Sequence, residues 1–351
     1  MPCIRPVARD RPPPKGVYKD EKSSVIQLIN PSIDIDIDIE IDRMTAHINS
    51  KEQVEAILDK YDYFLFDCDG VLWLGDHLLP WVVETLDLLK QRGKSIVFVT
   101  NNSTKSRNDY LKKFAKLGID GIKKQEVFGS SYASANYIDK ILKLPKEQKI
   151  WVLGEQGIEQ ELSELGYKTI GGSDPAYNIQ FDENHPDLNQ LDDSVGAVIA
   201  GLTTNVNYLK LSITLQYLLK NNKSLPFIAT NIDSTFPMKG KLMIGAGSII
   251  ETVSFASGRQ PDAVCGKPNQ SMMDSIKADN PPLQQSPARG LMIGDRLNTD
   301  MRFGLEGGLD TLLVLTAIAL PTAQPTTHQQ HHPLPTTHGP PPTLSGCNYN
   351  K

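Results

Sequence analysis

At 351 residues the chain is long enough to bury the cores of two domains. Its formal net charge of -5 at pH 7 leaves none of the basic footprint that nucleic-acid binding requires, and no apolar run approaches the ~20 residues of a membrane span. The cysteines, Cys3, Cys68, Cys265 and Cys347, include no Cys-x-x-Cys pair, which excludes a zinc ribbon or a secreted disulfide framework and points to a reducing, cytoplasmic setting.

Residues 1–45 read as a disordered, low-complexity extension. Arg5, Arg9 and Arg11 are not followed by the apolar stretch of a secretory signal. The Ile/Asp alternation from Ile33 to Asp42 has the period of a strand but the composition of a biased tail. Met44 opens ordinary globular sequence and is a candidate start of translation. A helical pattern over Glu52–Lys60 leads into Tyr63-Phe64-Leu65-Phe66, an uninterrupted apolar run that predicts a strand buried on both faces. It ends in Asp67-Cys68-Asp69-Gly70. Pro80 begins a second helix, Gly93 ends it, and Ser95–Val99 is the next buried strand, ending in Thr100-Asn101-Asn102. Strand, helix, strand in this order predicts a parallel sheet.

Helices over Ser106–Leu117 and Tyr132–Leu142 follow. Lys149–Gly154 then opens a fresh alternation of strands and helices, broken by an acidic loop from Gly172 to Asp193 and resuming to Ala229. After Gly245-Ala246-Gly247 a helix leads to Gly266-Lys267-Pro268, and Gly290–Gly294 is a short apolar strand ending in Asp295. A last strand covers Thr311–Leu315. Beyond it a Thr/Pro/His-rich tail cannot build a core.

Two carboxylates on one strand end repel each other, by roughly 4 kcal/mol at 4 Å and an effective dielectric near 20, so the Asp67/Asp69 pair calls for a cation or a shared proton. The carboxyl ends of parallel strands open into a crevice. There Asp67, Asp69 and Asp295 suit a hard cation such as Mg²⁺. Lys267, Thr100 and the asparagine amides suit a phosphoryl group. Together they point to metal-assisted phosphoryl transfer with a carboxylate available as nucleophile. Cys68 reads as packing, Trp73 as a wall of the turn, and Gly245-Ala246-Gly247 as a turn into a helix. The cluster His328, His331, His332 and His338 reads as tail composition.

In their order and content, Phe66–Trp73, Val99–Ser103, Gly266–Pro268 and Gly294–Asp300 resemble the four motifs of the haloacid dehalogenase superfamily. The closer resemblance is to its C2-capped 4-nitrophenylphosphatase and phosphoglycolate phosphatase family, over roughly residues 46–316. That resemblance implies an α/β fold: a Rossmann-like parallel-sheet core (46–133 and 242–316) with an inserted α/β cap of the C2 type (134–241), flanked by the extension and a disordered tail (317–351). It implies Asp67 as nucleophile and Asp69 as general acid and base. Thr100, Asn101, Asn102 and Lys267 would bind phosphate, and Mg²⁺ would sit on Asp67, Asp295 and the backbone carbonyl of Asp69. Asp300 would orient Lys267 or a metal-bound water. The expected reaction is hydrolysis of small phosphorylated metabolites such as 4-nitrophenyl phosphate or 2-phosphoglycolate, with no nucleic-acid or membrane partner and with a homodimer paired through the cap.

Two features depart from the family pattern. The cap loop Gly201–Tyr208 has neutral Thr203 and Asn205 where an acid and an imidazole are usual. The tail replaces a final strand and helix, which predicts a bare sheet edge and opens the alternative of an unstable or non-catalytic protein.

Overall fold

The computed structural model describes residues 26–29, 45–238 and 241–315. Its larger sheet runs, in spatial order, Thr45–Ile48, Ile26–Ile29, Asp310–Val314, Gly290–Gly294, Tyr63–Phe66, Ser95–Thr100 and Val127–Gly129. The last five of these strands are mutually parallel. Leu65, Val97 and Val99 are buried on one face, Phe64, Phe66 and Phe98 on the other. Burial on both faces is why these strands are continuously apolar rather than alternating. The chain winds to one side from Tyr63–Phe66 and later returns on the other through Gly290–Gly294. The adjacent carboxyl ends of these two strands form the switch point at which open parallel sheets bind ligands.

The edge beyond Asp310–Val314 is not bare. Ile26–Ile29 pair antiparallel with that strand, Ile26 opposite Val314, and Thr45–Ile48 pair with Ile26–Ile29 in turn. This corrects two expectations, that residues 1–45 are without structure and that the sheet edge is uncovered. A strand edge presents a row of unpaired N–H and C=O groups, and the β-favouring Ile-Gln-Leu-Ile segment satisfies it. The rest of the extension, including the Ile/Asp repeat and Met44, and the tail with its histidines lie outside the described residues.

A second, five-stranded sheet is wholly parallel, in the order Ala263–Val264, Phe227–Ala229, Val195–Ala200, Lys149–Leu153, Lys168–Gly171. One face packs on the helices Tyr208–Lys223 and Ala246–Ser257 through Ile213, Tyr217, Ile249, Ile250 and Val253. The other face shares an apolar cluster with the first sheet, filled by Ala133 and Ala135 of Ser130–Asn136 and by Ile158 and Leu162 of Gln156–Glu164. The second sheet therefore runs past the expected end of the insert at residue 241. Its last helix buries Ile249, Ile250 and Val253 in the cluster on this sheet, and Val264 of its last strand packs against the same cluster. The expected start at residue 134 falls inside Ser130–Asn136. The Gly172–Asp193 loop carries two short helical turns, Pro175–Tyr177 and Pro186–Asn189, and is pinned by the Tyr177 ring against Trp151 at 5.2 Å. Among the described residues no helix is long and apolar enough to cross a membrane.

Candidate active site

Asp67 follows the last residue of Tyr63–Phe66, and its N–H donates to the Ile293 carbonyl at 2.8 Å, which ties the two switch-point strands together. Gly70 then turns the chain with φ of 99°, and a Cβ there would lie 2.4 Å from Asp295 Oδ2. Only glycine admits both the dihedral and the close approach of the two acidic loops. Lys267, on the loop after Ala263–Val264, reaches the same point and is buried. Its ammonium donates to Asp67 Oδ1 at 2.6 Å and to the Val99 carbonyl at 2.9 Å, and sits 2.8 Å from Asp300 Oδ1. The other Asp300 oxygen accepts from the N–H groups of Asp295 at 3.2 Å and Arg296 at 3.1 Å.

Asp67, Asp295 and Asp300 bring carboxylate oxygens within 4.8 Å of one another. Burial pushes the Asp67 carboxyl well up; Lys267 opposes this, and Asp300 and Asp295 reinforce it. Burial likewise pushes Asp295 up to about 6, with Asp300 adding to the effect and Arg296 opposing it. Burial alone would draw the Lys267 ammonium down, but Asp300 and Asp67 outweigh it and keep the group charged. Three carboxylates around one ammonium leave uncompensated negative charge. Both oxygens of Asp295 are buried with no hydrogen-bond partner. Leaving such atoms unpaired is costly, and an oxygen donor set of this kind fits a hard divalent cation.

Of the residues expected to bind phosphate, Thr100 is buried at the end of its strand, with Oγ1 3.3 Å from the Tyr110 hydroxyl and accepting the Asn102 N–H at 3.1 Å. Asn101 Nδ2 donates to Asp233 Oδ2 and to the Lys267 carbonyl, both at 3.0 Å. The Asn102 side-chain oxygen is committed to Thr104 N–H at 2.9 Å and to its hydroxyl at 2.7 Å, so this residue shapes the loop. The Asp69 carboxylate stands outside the acidic cluster, where its expected ligand atom was the backbone carbonyl. It accepts from the Trp73 indole instead. Cys68 is fully buried in the aromatic core, as strand alternation predicts.

Sequence reasoning missed Asp233, which bonds Asn101 and lies 3.9 Å from the Arg296 guanidinium. Its signal was present in part, since Thr230-Asn231-Ile232-Asp233 is a polar loop after the apolar strand Phe227–Ala229, although Asp233 does not directly follow its strand as Asp67 and Asp295 follow theirs. The cap loop hangs beside the site, with the Leu202 N–H on Ser103 Oγ at 3.4 Å. Glu155, also missed, accepts from Thr204 N at 2.7 Å and from its hydroxyl at 2.9 Å, placing a carboxylate at a loop that the sequence made neutral.

A model of the haloacid dehalogenase-like hydrolases matches residues 64–168, and a second, HAD-hydrolase-like model matches residues 264–337. A 4-nitrophenylphosphatase of Schizosaccharomyces pombe is 43% identical over 277 residues, 79% of this chain and 91% of the yeast protein. The chain belongs to the haloacid dehalogenase-like hydrolases. Phosphoglycolate phosphatase 2 of Arabidopsis thaliana is 41% identical over 281 residues, 78% of this chain and 89% of the plant protein. The crystal structure of a 4-nitrophenylphosphatase from Thermotoga maritima matches with a TM-score of 0.57 at 30% identity, covering 73% of this chain and 86% of that one. Within the haloacid dehalogenase-like hydrolases this chain is a phosphoric monoester hydrolase.

Proposed function

We propose that this phosphatase hydrolyses small phosphomonoesters through an aspartyl-phosphate on Asp67, with Mg²⁺ held by Asp67, Asp295 and the Asp69 carbonyl. The observation that carries the reading is one buried ammonium shared by Asp67 and Asp300 beside a carboxylate, Asp295, with two unpartnered oxygens. Held there, the cation would supply positive charge for the phosphoryl oxygens and offset the repulsion between substrate and Asp67. An Asp67 oxygen attacks phosphorus while the bond to the leaving oxygen breaks, and Asp69 gives that oxygen a proton. Asp69, now a carboxylate, takes a proton from the water that attacks the phosphoryl group. The Asp67–phosphorus bond breaks, and phosphate leaves. Lys267 holds Asp67 and counters charge on the phosphoryl group, while Asp300 fixes Lys267. Thr100 and Asn101 offer further donors.

The relatives' names support 4-nitrophenyl phosphate and 2-phosphoglycolate as substrates. The Thr203/Asn205 departure makes a substrate panel the decisive measurement of specificity. If grafting Asp and His into that loop changed no relative kcat/KM, the loop would not be the selector. Pairing of two copies through the cap suits the exposed Leu242, Ile244 and Phe255, and sedimentation tests it. For the chemistry, Asp67→Asn is expected to abolish turnover of p-nitrophenyl phosphate with an unchanged circular dichroism spectrum. Beryllium fluoride, a mimic of the phosphorylated aspartate, is expected to inhibit the parent protein. Full activity in the variant, or activity in excess EDTA, would refute the mechanism.

A further inference from the structure

The loop after Asp67 folds back tightly on itself. The Leu72 N–H donates to the Cys68 carbonyl at 2.9 Å, and the Gly70 N–H donates to the Trp73 carbonyl at 2.8 Å. This return places the Trp73 indole against Asp69, and Nε1–H donates to Asp69 Oδ1 at 2.8 Å. The ring itself is fully buried, edge-on to Phe114 at 5.2 Å and stacked near Tyr110 at 6.3 Å. Lys113, from the helix Arg107–Lys116, lays its ammonium over the indole at 4.0 Å and 3.8 Å from the same Asp69 oxygen.

We propose that Trp73 and Lys113 are positioning residues that lock the Asp69 side chain through Oδ1, leaving Oδ2 as the oxygen that exchanges protons with the leaving group and with water. The proposal rests on the reading of Asp69 as general acid and base. Nearly half of the Asp69 side chain is exposed, 43%, so without these contacts it would sample several rotamers. Among the described residues Oδ2 has no protein donor. When the bond between phosphorus and the leaving oxygen breaks, the proton passes from Oδ2 to that oxygen. The charge left on the carboxylate then faces an indole N–H and an ammonium that are already in place, so little reorganisation is needed. The next step returns a proton from water to the same atom.

The test uses leaving-group dependence, which a purely structural role would not alter. An alkoxide needs a proton to depart, whereas 4-nitrophenolate does not, and kcat/KM reports all steps through departure. For the full chain with Mg²⁺, Trp73→Phe and Lys113→Met are expected to lower kcat/KM for 2-phosphoglycolate about tenfold more than for p-nitrophenyl phosphate, a fraction of the roughly 100- to 10,000-fold that an acid–base group itself contributes, because both act through Asp69. KM should change little, and Lys113→Arg should restore most of the loss. Equal losses on both substrates, or no loss on either, would overturn the positioning role. Asp69→Asn is the separate control. An unchanged alkyl-to-aryl ratio in that variant refutes the acid role itself, whereas a large change in it with none in Trp73→Phe and Lys113→Met refutes only the positioning.

Discussion

Replacing Asp300 by asparagine tests the electrostatic core of the site. Asp300 is 1% exposed and supports two structures with one carboxylate, the Lys267 ammonium at 2.8 Å and the N–H groups of Asp295 and Arg296 at 3.2 and 3.1 Å. Asparagine has one oxygen and one amide donor. If the oxygen faces Lys267, the amide confronts two backbone N–H donors; if the amide is reversed, it confronts the ammonium. Removing one partner of a buried ion pair costs about 3–5 kcal/mol, because the remaining charge stays buried. For a domain of this size that lowers the melting temperature by on the order of 10 °C. Lys267 would then be held by Asp67 and the Val99 carbonyl without its second carboxylate, shifting it away from the phosphoryl path. A misplacement of this kind lowers kcat by on the order of 100-fold. Melting followed by circular dichroism and turnover of p-nitrophenyl phosphate measure both effects. The double variant K267M/D300N removes the stranded ammonium and is expected to recover part of the stability but none of the activity. A D300N protein melting within ~2 °C of the parent, with the double variant no more stable, would refute the reasoning.

Three further outcomes are expected. Deleting residues 1–44 removes Ile26–Ile29 from the Asp310–Val314 edge and should lower stability by about 2–4 kcal/mol, at ~1 kcal/mol per backbone hydrogen bond, with kcat little changed; denaturant unfolding measures it. Because burial holds Asp295 up at about 6 against an ordinary 3.8, its ionisation costs the metal-free fold stability as pH rises from about 4 to about 6. A cation needs the carboxylate, so Mg²⁺ affinity by calorimetry should rise with pH through about 6 and then level off; a pH-independent affinity would contradict this. Gly70→Ala forces a side chain into φ of 99° and against Asp295, and should cost about 1–3 kcal/mol and weaken Mg²⁺ binding, both read by thermal shift with and without the cation.

Much of the site was legible in the sequence because it is built at strand ends. An apolar run closed by Asp67, another by Thr100 and a third by Asp295 fix which residues reach the carboxyl edge of a parallel sheet, since strand direction and burial follow from local pattern alone. The motif order then supplied Lys267 and Asp300. Local pattern could not say which strands are neighbours. That depends on the winding reversal which sets Tyr63–Phe66 beside Gly290–Gly294, and on the helix and strand after residue 241 joining the second sheet. Long-range pairing also decided the fate of Ile26–Ile29, a short segment in a biased extension that becomes a strand because the Asp310–Val314 edge needs a partner. Trp73 read as a wall of the turn, and it is one. Its indole N–H on Asp69 and the Lys113 ammonium above it arise only when the helix Arg107–Lys116 packs over the returning loop. The sequence by itself thus determined the reacting groups, which lie in short contiguous motifs. Tertiary structure decided what holds them, because Lys113, Asp233 and Glu155 act across distances in the chain over which no periodicity carries information.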